Sequence, residues 1–149
     1  MYKRISMIAL LALALTLAGC GGSGSGSGNI NGTWTATLTN TDQSTAYSFS
    51  ATFTQGSGSA LRIANFMFTS AGPCFASEPT SETGTFSLSG NSNGNVTGAF
   101  GMTITTVFPI NTNNVLTLQG TVGGSKISGT WTLTGETGCS GSGNFTVVS

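Results

Sequence analysis

From Thr33 onwards the chain alternates between apolar and polar side chains with a period of two, which is the pattern of half-buried β-strands. In the first segment Trp34, Ala36 and Leu38 share one face, and threonines occupy the other. Seven later segments repeat the pattern, so the sequence predicts eight strands. Their inward residues are predicted to be Tyr47, Phe49, Ala51 and Phe53; Leu61, Ile63, Phe66 and Phe68; Phe86 and Leu88; Val96, Phe100, Met102 and Ile104; Leu116, Leu118 and Val122; Ile127, Trp131 and Leu133; and Phe145 and Val147.

Two irregularities in this pattern predict curvature. The third segment changes parity between Ile63 and Phe66, which indicates a β-bulge near Ala64-Asn65. A short motif, apolar-x-Gly-x-aromatic, recurs at 30–34, 96–100 and 127–131 and places a glycine on the inward face. Inward glycines beside aromatic rings let a sheet bend, with the ring covering the gap. We therefore expect a closed or strongly coiled sheet.

The connections are short and rich in turn residues, which favours a meander of sequential strands. The predicted fold is all-β, an eight-stranded antiparallel up-and-down barrel; a two-sheet β-sandwich is the alternative. In the barrel, connections 2–3, 4–5 and 6–7 and the chain start lie at one end, which we call the near end. The other four connections lie at the opposite, far end.

A different hydrophobic pattern precedes the strands. Lys3 and Arg4 are followed by a mostly apolar run from Ile5 to Leu17, which is too short for an ordinary transmembrane helix. It is typical of the apolar region of a signal peptide. A plain secretory signal is one interpretation, but Cys20 directly follows Leu17-Ala18-Gly19, where such a signal needs no cysteine.

The segment Leu17-Ala18-Gly19-Cys20 resembles the lipobox of bacterial lipoprotein precursors. The resemblance implies cleavage between Gly19 and Cys20, and lipidation of the Cys20 thiol and amino group. Several acyl chains would anchor the protein stably to a membrane without spanning it. The residue after the cysteine is Gly21. In the lipoproteins that this segment resembles, an Asp at that position favours retention in the inner membrane, so the resemblance implies the outer membrane of the bacterial envelope.

These features divide the chain into three parts: a lipoprotein signal peptide at 1–19, a lipidated cysteine with a Gly/Ser tether at 20–28, and a single β domain at 29–149. The tether has no side chains to bury and is expected to be flexible. Its expected root-mean-square span is about 15 Å.

Cys74 and Cys139 are the two cysteines that lipidation leaves over. An even number in an exported, oxidising setting predicts a disulfide, and both residues fall in far-end connections. Metal binding by the two thiolates is the alternative, but the chain has no histidine to complete a site.

Charge is sparse in the β domain. Its acidic residues are Asp42, Glu78, Glu82 and Glu136, and its basic residues are Arg62 and Lys126. With no basic patch, nucleic acid is not an expected partner. All four acids are predicted at the far end, as a solvated rim or, alternatively, as calcium ligands. We predict neither a metal site nor a cofactor. No catalytic constellation is recognisable, so an enzyme is not expected.

The aromatic residues suggest one possible binding site. Trp34, Trp131, Tyr47 and Phe49 are candidates to line a ligand inside the barrel, and core filling is the alternative because an eight-stranded barrel is narrow. Gly32-Thr33-Trp34 is similar to the Gly-x-Trp opening of lipocalins and the Gly-Thr-Trp start of avidin-type barrels. That resemblance implies the barrel architecture.

Two functions follow from these expectations. The first is a membrane-anchored envelope lipoprotein whose barrel binds a small apolar ligand, or a protein partner at the far-end loops. The second is a structural surface lipoprotein with a filled core and no small-molecule ligand.

Overall fold

The structure is a computed structural model that describes residues 28–107 and 112–149. The predicted signal peptide at 1–19, the lipidation site Cys20 and the tether up to residue 27 lie outside the described residues, and they remain predictions from the sequence.

Eight strands form a closed antiparallel barrel in which each strand pairs with the next, and the last pairs with the first. Both the eight-stranded barrel and its up-and-down order are confirmed, and the sandwich is not formed. The strands are β1 Gly32–Asn40, β2 Thr45–Gln55, β3 Ala60–Ser70, β4 Thr80–Ser92, β5 Asn95–Thr106, β6 Val115–Gly123, β7 Lys126–Thr134 and β8 Gly141–Val148.

The alternation of buried and exposed residues matches the predicted faces in most strands. In β2 Phe49 and Phe53 are completely buried, whereas the serines and threonines between the inward residues are partly or fully exposed. The prediction for Leu88 was wrong, because its side chain is 49% exposed. Leu88 lies beside Gly28 where β4 runs past the near end of the core, at an irregularity of the β4–β5 pairing.

Large aromatic rings pack directly against the inward glycines, and this allows the sheet to curve around them. Phe86 packs against Gly98, where an added Cβ would lie only 2.5 Å from Cε2 of the ring. The predicted β-bulge is also present, since the β2–β3 register shifts opposite Ala64–Met67 and Asn65 adopts a φ of 51°. The hairpin between β4 and β5 turns on Asn93 and Gly94, both with positive φ, as a two-residue turn requires.

The connection from β3 to β4 contains a short helix, α1 (Gly72–Phe75), which the strand pattern did not predict. It lies at the far end, and its residues Cys74 and Phe75 are both buried. Through these two residues the helix packs onto the hydrophobic core at the far end of the barrel.

Candidate functional site

A disulfide joins the two far-end connections that the sequence predicted it would join. Cys74 in α1 is bonded to Cys139 in the connection between β7 and β8, with 5.7 Å between the Cα atoms. The predicted pairing is confirmed. The bond holds α1 over the far opening of the barrel.

Asn114 adds a second connection between the same loops. Its side chain, only 4% exposed, donates from Nδ2 to the carbonyl of Cys74 at 2.9 Å. Its Oδ1 accepts from the backbone N–H of Glu136 at 3.0 Å. One amide side chain therefore ties α1 to the loop after β7, and buried polar groups that are satisfied in this way rigidify their surroundings.

Phe75 closes the barrel beneath α1. Its ring stacks on Phe68 at a centroid distance of 5.2 Å and meets Tyr47 edge-on at 5.8 Å. Burial raises the pKa of the Tyr47 hydroxyl. Phe75 acts as a plug, and the far-end interior below it is aromatic.

The two tryptophans lie in different layers of the core. Trp34 stacks on Phe53, and its indole N–H donates to the carbonyl of Ile30 at 2.9 Å. Trp131 meets Tyr47 edge-on at 5.7 Å, and its indole N–H donates to the carbonyl of Thr39. Both side chains are 2% exposed, so their apolar surfaces and their donors are both used within the protein.

Tyr47 and Phe49, the other two candidate ligand-lining residues, also belong to the packed core. Phe49 is fully buried and contacts Phe66 and Phe68, with centroids 5.1 and 6.1 Å away. The structure therefore brings Tyr47 and Trp131 into contact. Trp34 lies apart from them against Phe53.

The barrel is closed between β3 and β4 by a very short ladder. Only Ala60–Thr85 and Leu61–Gly84 are paired there, whereas β4 pairs with β5 along nearly its whole length. We call the unpaired part, Arg62–Ser70 of β3 and Thr80–Thr83 of β4, the seam.

Side chains, and not a ladder of hydrogen bonds, close the seam. Ile63 packs over Gly84, with its Cδ1 3.1 Å from where a Cβ would lie. Phe66 and Phe68 are half-buried, in contact with each other at 5.0 Å, and Met67 between them is 61% exposed. The seam therefore presents a Phe-Met-Phe segment on a strand edge that has no ladder partner in the part of the chain that the structure describes. Such an edge invites pairing with another chain.

The four acids are less alike than predicted. Asp42 is exposed in the β1–β2 turn, Glu136 is exposed after β7, and Glu78 is half-buried in the connection after α1. Glu82 was predicted in a far-end loop, which is wrong: it lies within β4, directly opposite the buried Ile104 and thus on the inward face. The reason is that β4 begins at Thr80, earlier than the alternation of its apolar residues indicates.

Glu82 has an unusual environment for a carboxylate. Its Oε1 is shielded from solvent and has no hydrogen-bond partner in the parts of the chain that the structure describes. A buried acceptor without a donor costs about 1–3 kcal/mol, and more when it is charged. Glu82 therefore places an unsatisfied oxygen at the seam.

The outer face of β4–β6 carries shallow grooves. One, with a volume of about 200 Å³, is lined by residues that include Thr85, Gly101 and Gln119. It exists because Gly101 has no side chain between its neighbours. The groove lining carries threonine hydroxyls and one amide but no charged side chain.

Within residues 28–107 and 112–149, no three His, Cys, Asp or Glu side chains come together as a potential metal site. In the same ranges no helix has the length and apolar character needed to cross a membrane. Comparisons with protein families, with curated proteins and with solved structures find no match to this chain.

Sequence reasoning missed Phe75, Asn114 and the seam. Phe75 follows a disulfide cysteine outside any alternating segment, and that cysteine was the available signal. Asn114 is one of several asparagines before β6, and nothing in its sequence context distinguishes it. The seam depends on how far two strands stay paired, which the alternation of side chains does not specify.

Proposed function

We propose that this protein is a lipid-anchored component of the bacterial envelope whose filled barrel presents its far end and seam to a protein partner. The anchor rests on the lipobox resemblance at Leu17-Ala18-Gly19-Cys20, and the outer membrane is the proposed location. The barrel acts as a rigid support and carries no small ligand.

The observation that supports a filled barrel without a small ligand is that both indole N–H groups donate to backbone carbonyls of the protein itself. A ligand-lining tryptophan typically offers its ring face or its donor to the ligand. Here Trp34 and Trp131 are each 2% exposed, and each donates to a backbone carbonyl of its own barrel. A small apolar ligand would have to displace packed rings, which favours the filled-core function over the carrier function.

The far end is better suited to contact with a protein partner than the filled interior is to binding a small ligand. At this end the disulfide and Asn114 hold α1 and the loop after β7 in place. Preorganised surfaces lose less entropy on binding. The far end is also the end opposite the tethered chain start, and it therefore faces away from the membrane in the proposed arrangement.

Native mass spectrometry of the mature lipoprotein, released from lipid nanodiscs, tests the proposal. We expect the mass of the chain plus its N-terminal acyl groups, with no further bound molecule. Tryptophan fluorescence should stay unchanged on addition of a panel of fatty acids, sterols and aromatic compounds. A bound mass that disappears on organic extraction would instead identify a ligand carrier.

The anchor has its own test. The N-terminal peptide of the mature protein should carry acyl groups on Cys20, and Cys20→Ala should leave the leader uncut. An unmodified N-terminus created by cleavage at another position would contradict the anchor, and a plain secretory signal would then explain the leader.

A further inference from the structure

The seam contains two unsatisfied features that one kind of ligand can satisfy together. The first is the free edge of β3, whose residues beyond Leu61 have no ladder partner on the side of β4 within residues 28–107 and 112–149. The second is Glu82 Oε1, a shielded carboxylate oxygen without a donor among the described residues.

The free edge selects an extended polypeptide over other ligands. Backbone N–H and C=O groups along a strand edge pair with another strand, and the alternate side chains of that strand supply specificity. The bulge at Asn65 interrupts the near half of the edge. Phe66–Ser70 is then the usable stretch, with a length of about 16 Å at 3.3 Å per residue.

The lining of the seam defines which side chains such a strand should carry. Its inward face would meet the half-buried rings of Phe66 and Phe68, which favours apolar residues. Glu82 lies on the inward face of β4, two residues before Gly84, the partner of Leu61, and thus at the near limit of the seam. It favours one Lys or Arg at that level of the added strand, because a cationic donor satisfies a shielded carboxylate. Besides Glu82, the only charged residue in the two stretches of the seam is Arg62, at its near limit.

A second copy of this chain fits less well. Antiparallel pairing of two β3 edges inverts one copy relative to the other, whereas copies tethered to one membrane by short linkers stand the same way up. A partner's extended segment has no such restriction.

We propose that the seam binds an extended segment of a partner protein as an added strand, antiparallel to β3, with apolar residues and one basic residue on its inward face. This inference rests on the proposed function and specifies the partner contact. Antiparallel pairing is chosen because the free edge of β3 is longer than that of β4 and antiparallel ladders are slightly more stable.

The test uses a fluorescent probe peptide, Ser-Thr-Val-Thr-Lys-Thr-Val-Thr-Ser, and the mature lipoprotein in nanodiscs, with empty nanodiscs as the blank. We expect saturable binding by anisotropy, and slower hydrogen exchange of amides 66–70 in its presence. The same peptide with N-methylated central residues keeps its side chains but cannot pair, and it should not bind.

A charge-reversal cycle tests the role of Glu82. Replacing the lysine of the probe with glutamate should weaken binding to the wild type at least tenfold, and this difference should disappear in Glu82→Gln. Glu136→Gln, which removes an exposed far-end charge, is the matched control and should preserve the difference.

Each contrary result has a distinct meaning. Equal binding of the N-methylated peptide, or a lysine preference that persists in Glu82→Gln, overturns the added-strand proposal. A dimer whose 66–70 amides are protected without peptide would identify a second copy as the occupant and overturn it also. Failure of the probe to bind, with a ligand-free native mass, removes this inference but leaves the proposed function standing.

Discussion

The indole N–H of Trp131 in β7 donates to the backbone carbonyl of Thr39 in β1, at 2.9 Å and across a sequence separation of 92 residues. The two strands are not neighbours, since β8 lies between them. The hydrogen bond is possible because Gly143 of β8 lies directly opposite Trp131. The ring therefore crosses the intervening strand where that strand has no side chain.

Gly143→Ala should destabilise the protein through this crossing. An added Cβ would collide with the carbonyl oxygen of Thr39 and lie 2.8 Å from Nε1 of Trp131. Overpacking together with loss of the hydrogen bond should lower the free energy of unfolding by about 2–4 kcal/mol. Urea unfolding measures this. Gly123→Ala is the matched control, because nothing lies within 4 Å of its added Cβ, and an equal loss in both variants would contradict the argument.

A filled interior predicts a large cost for truncating a central ring. Phe53 is fully buried between Trp34 and Phe100, at centroid distances of 6.2 and 5.7 Å. Phe53→Ala should therefore cost about 3–5 kcal/mol in unfolding free energy and open a cavity that binds benzene. Met67→Ala, at a side chain that is 61% exposed, is the control, with an expected change of less than about 0.5 kcal/mol. A cost near that of the control would mean that the wild-type interior already holds space.

The contrast between these residues shows how far the sequence could lead. Phe53 could be placed in the core because period-two alternation states which face a side chain occupies. Leu88 follows the same alternation but is exposed, because the pattern does not state where along a strand the interior ends. Glu82 was misplaced since the strand start at Thr80 lies among serines and threonines, which are as common in the loops.

The seam was beyond prediction for a related reason. Alternation gives the inward residues of β3 correctly as Ile63, Phe66 and Phe68, but their half-burial depends on the short ladder to β4. Ladder length follows from register and from the direction that the chain takes into α1. Both are set by tertiary packing, which the alternation of side chains does not encode.

Removing the disulfide should lower stability without dissolving the barrel. The bond closes a sequence separation of 65 residues, which corresponds to roughly 4 kcal/mol in the chain-entropy model. Cys74→Ala with Cys139→Ala should lose this amount in urea unfolding and keep its far-UV circular dichroism, since the eight ladders remain. Reduced wild-type protein is the control and should unfold like the double variant. Unchanged stability, with free thiols verified by mass, would contradict the prediction.

Asp42 provides a local test of the far-end turn. The hydroxyl of Ser44 donates to Oδ1 at 2.6 Å and its N–H does so at 2.9 Å, and these hydrogen bonds lower the pKa of Asp42. Ser44→Ala should raise that pKa towards its ordinary value, as carboxyl NMR titration would show. Ser44→Thr retains the hydroxyl and should leave the pKa low; a rise there as well would attribute the shift to another cause.

The sign of the associated pH dependence follows from the direction of the shift. A pKa lowered in the folded state means that the ionised carboxylate stabilises the fold. That contribution is present above the unfolded pKa, about 3.9 for aspartate, and is lost as the pH falls through the folded value. Ser44→Ala should therefore reduce the decline of stability on acidification below about pH 4.

Asn114→Asp should make the two hydrogen bonds from residue 114 to α1 and to the loop after β7 dependent on pH. The amide donates to the carbonyl of Cys74 and accepts from the N–H of Glu136, in a site that is 4% exposed. A carboxylate retains the acceptor but directs a second oxygen at the Cys74 carbonyl, with its charge buried. Protonation restores a donor, so the pKa of the new carboxyl is raised in the folded state.

The fold of this variant is consequently favoured at low pH, and its stability is lost as the pH rises through the raised folded pKa. At pH 7 we expect Asn114→Asp to unfold with about 2–4 kcal/mol less free energy than the wild type, and with a smaller deficit at pH 4. Asn113→Asp makes the same chemical change at an exposed neighbouring position and should show neither the deficit nor its pH dependence. Urea unfolding of both variants between pH 4 and pH 8 measures the difference, and parallel profiles would mean that the bond from Asn114 to Cys74 does not hold the far end together.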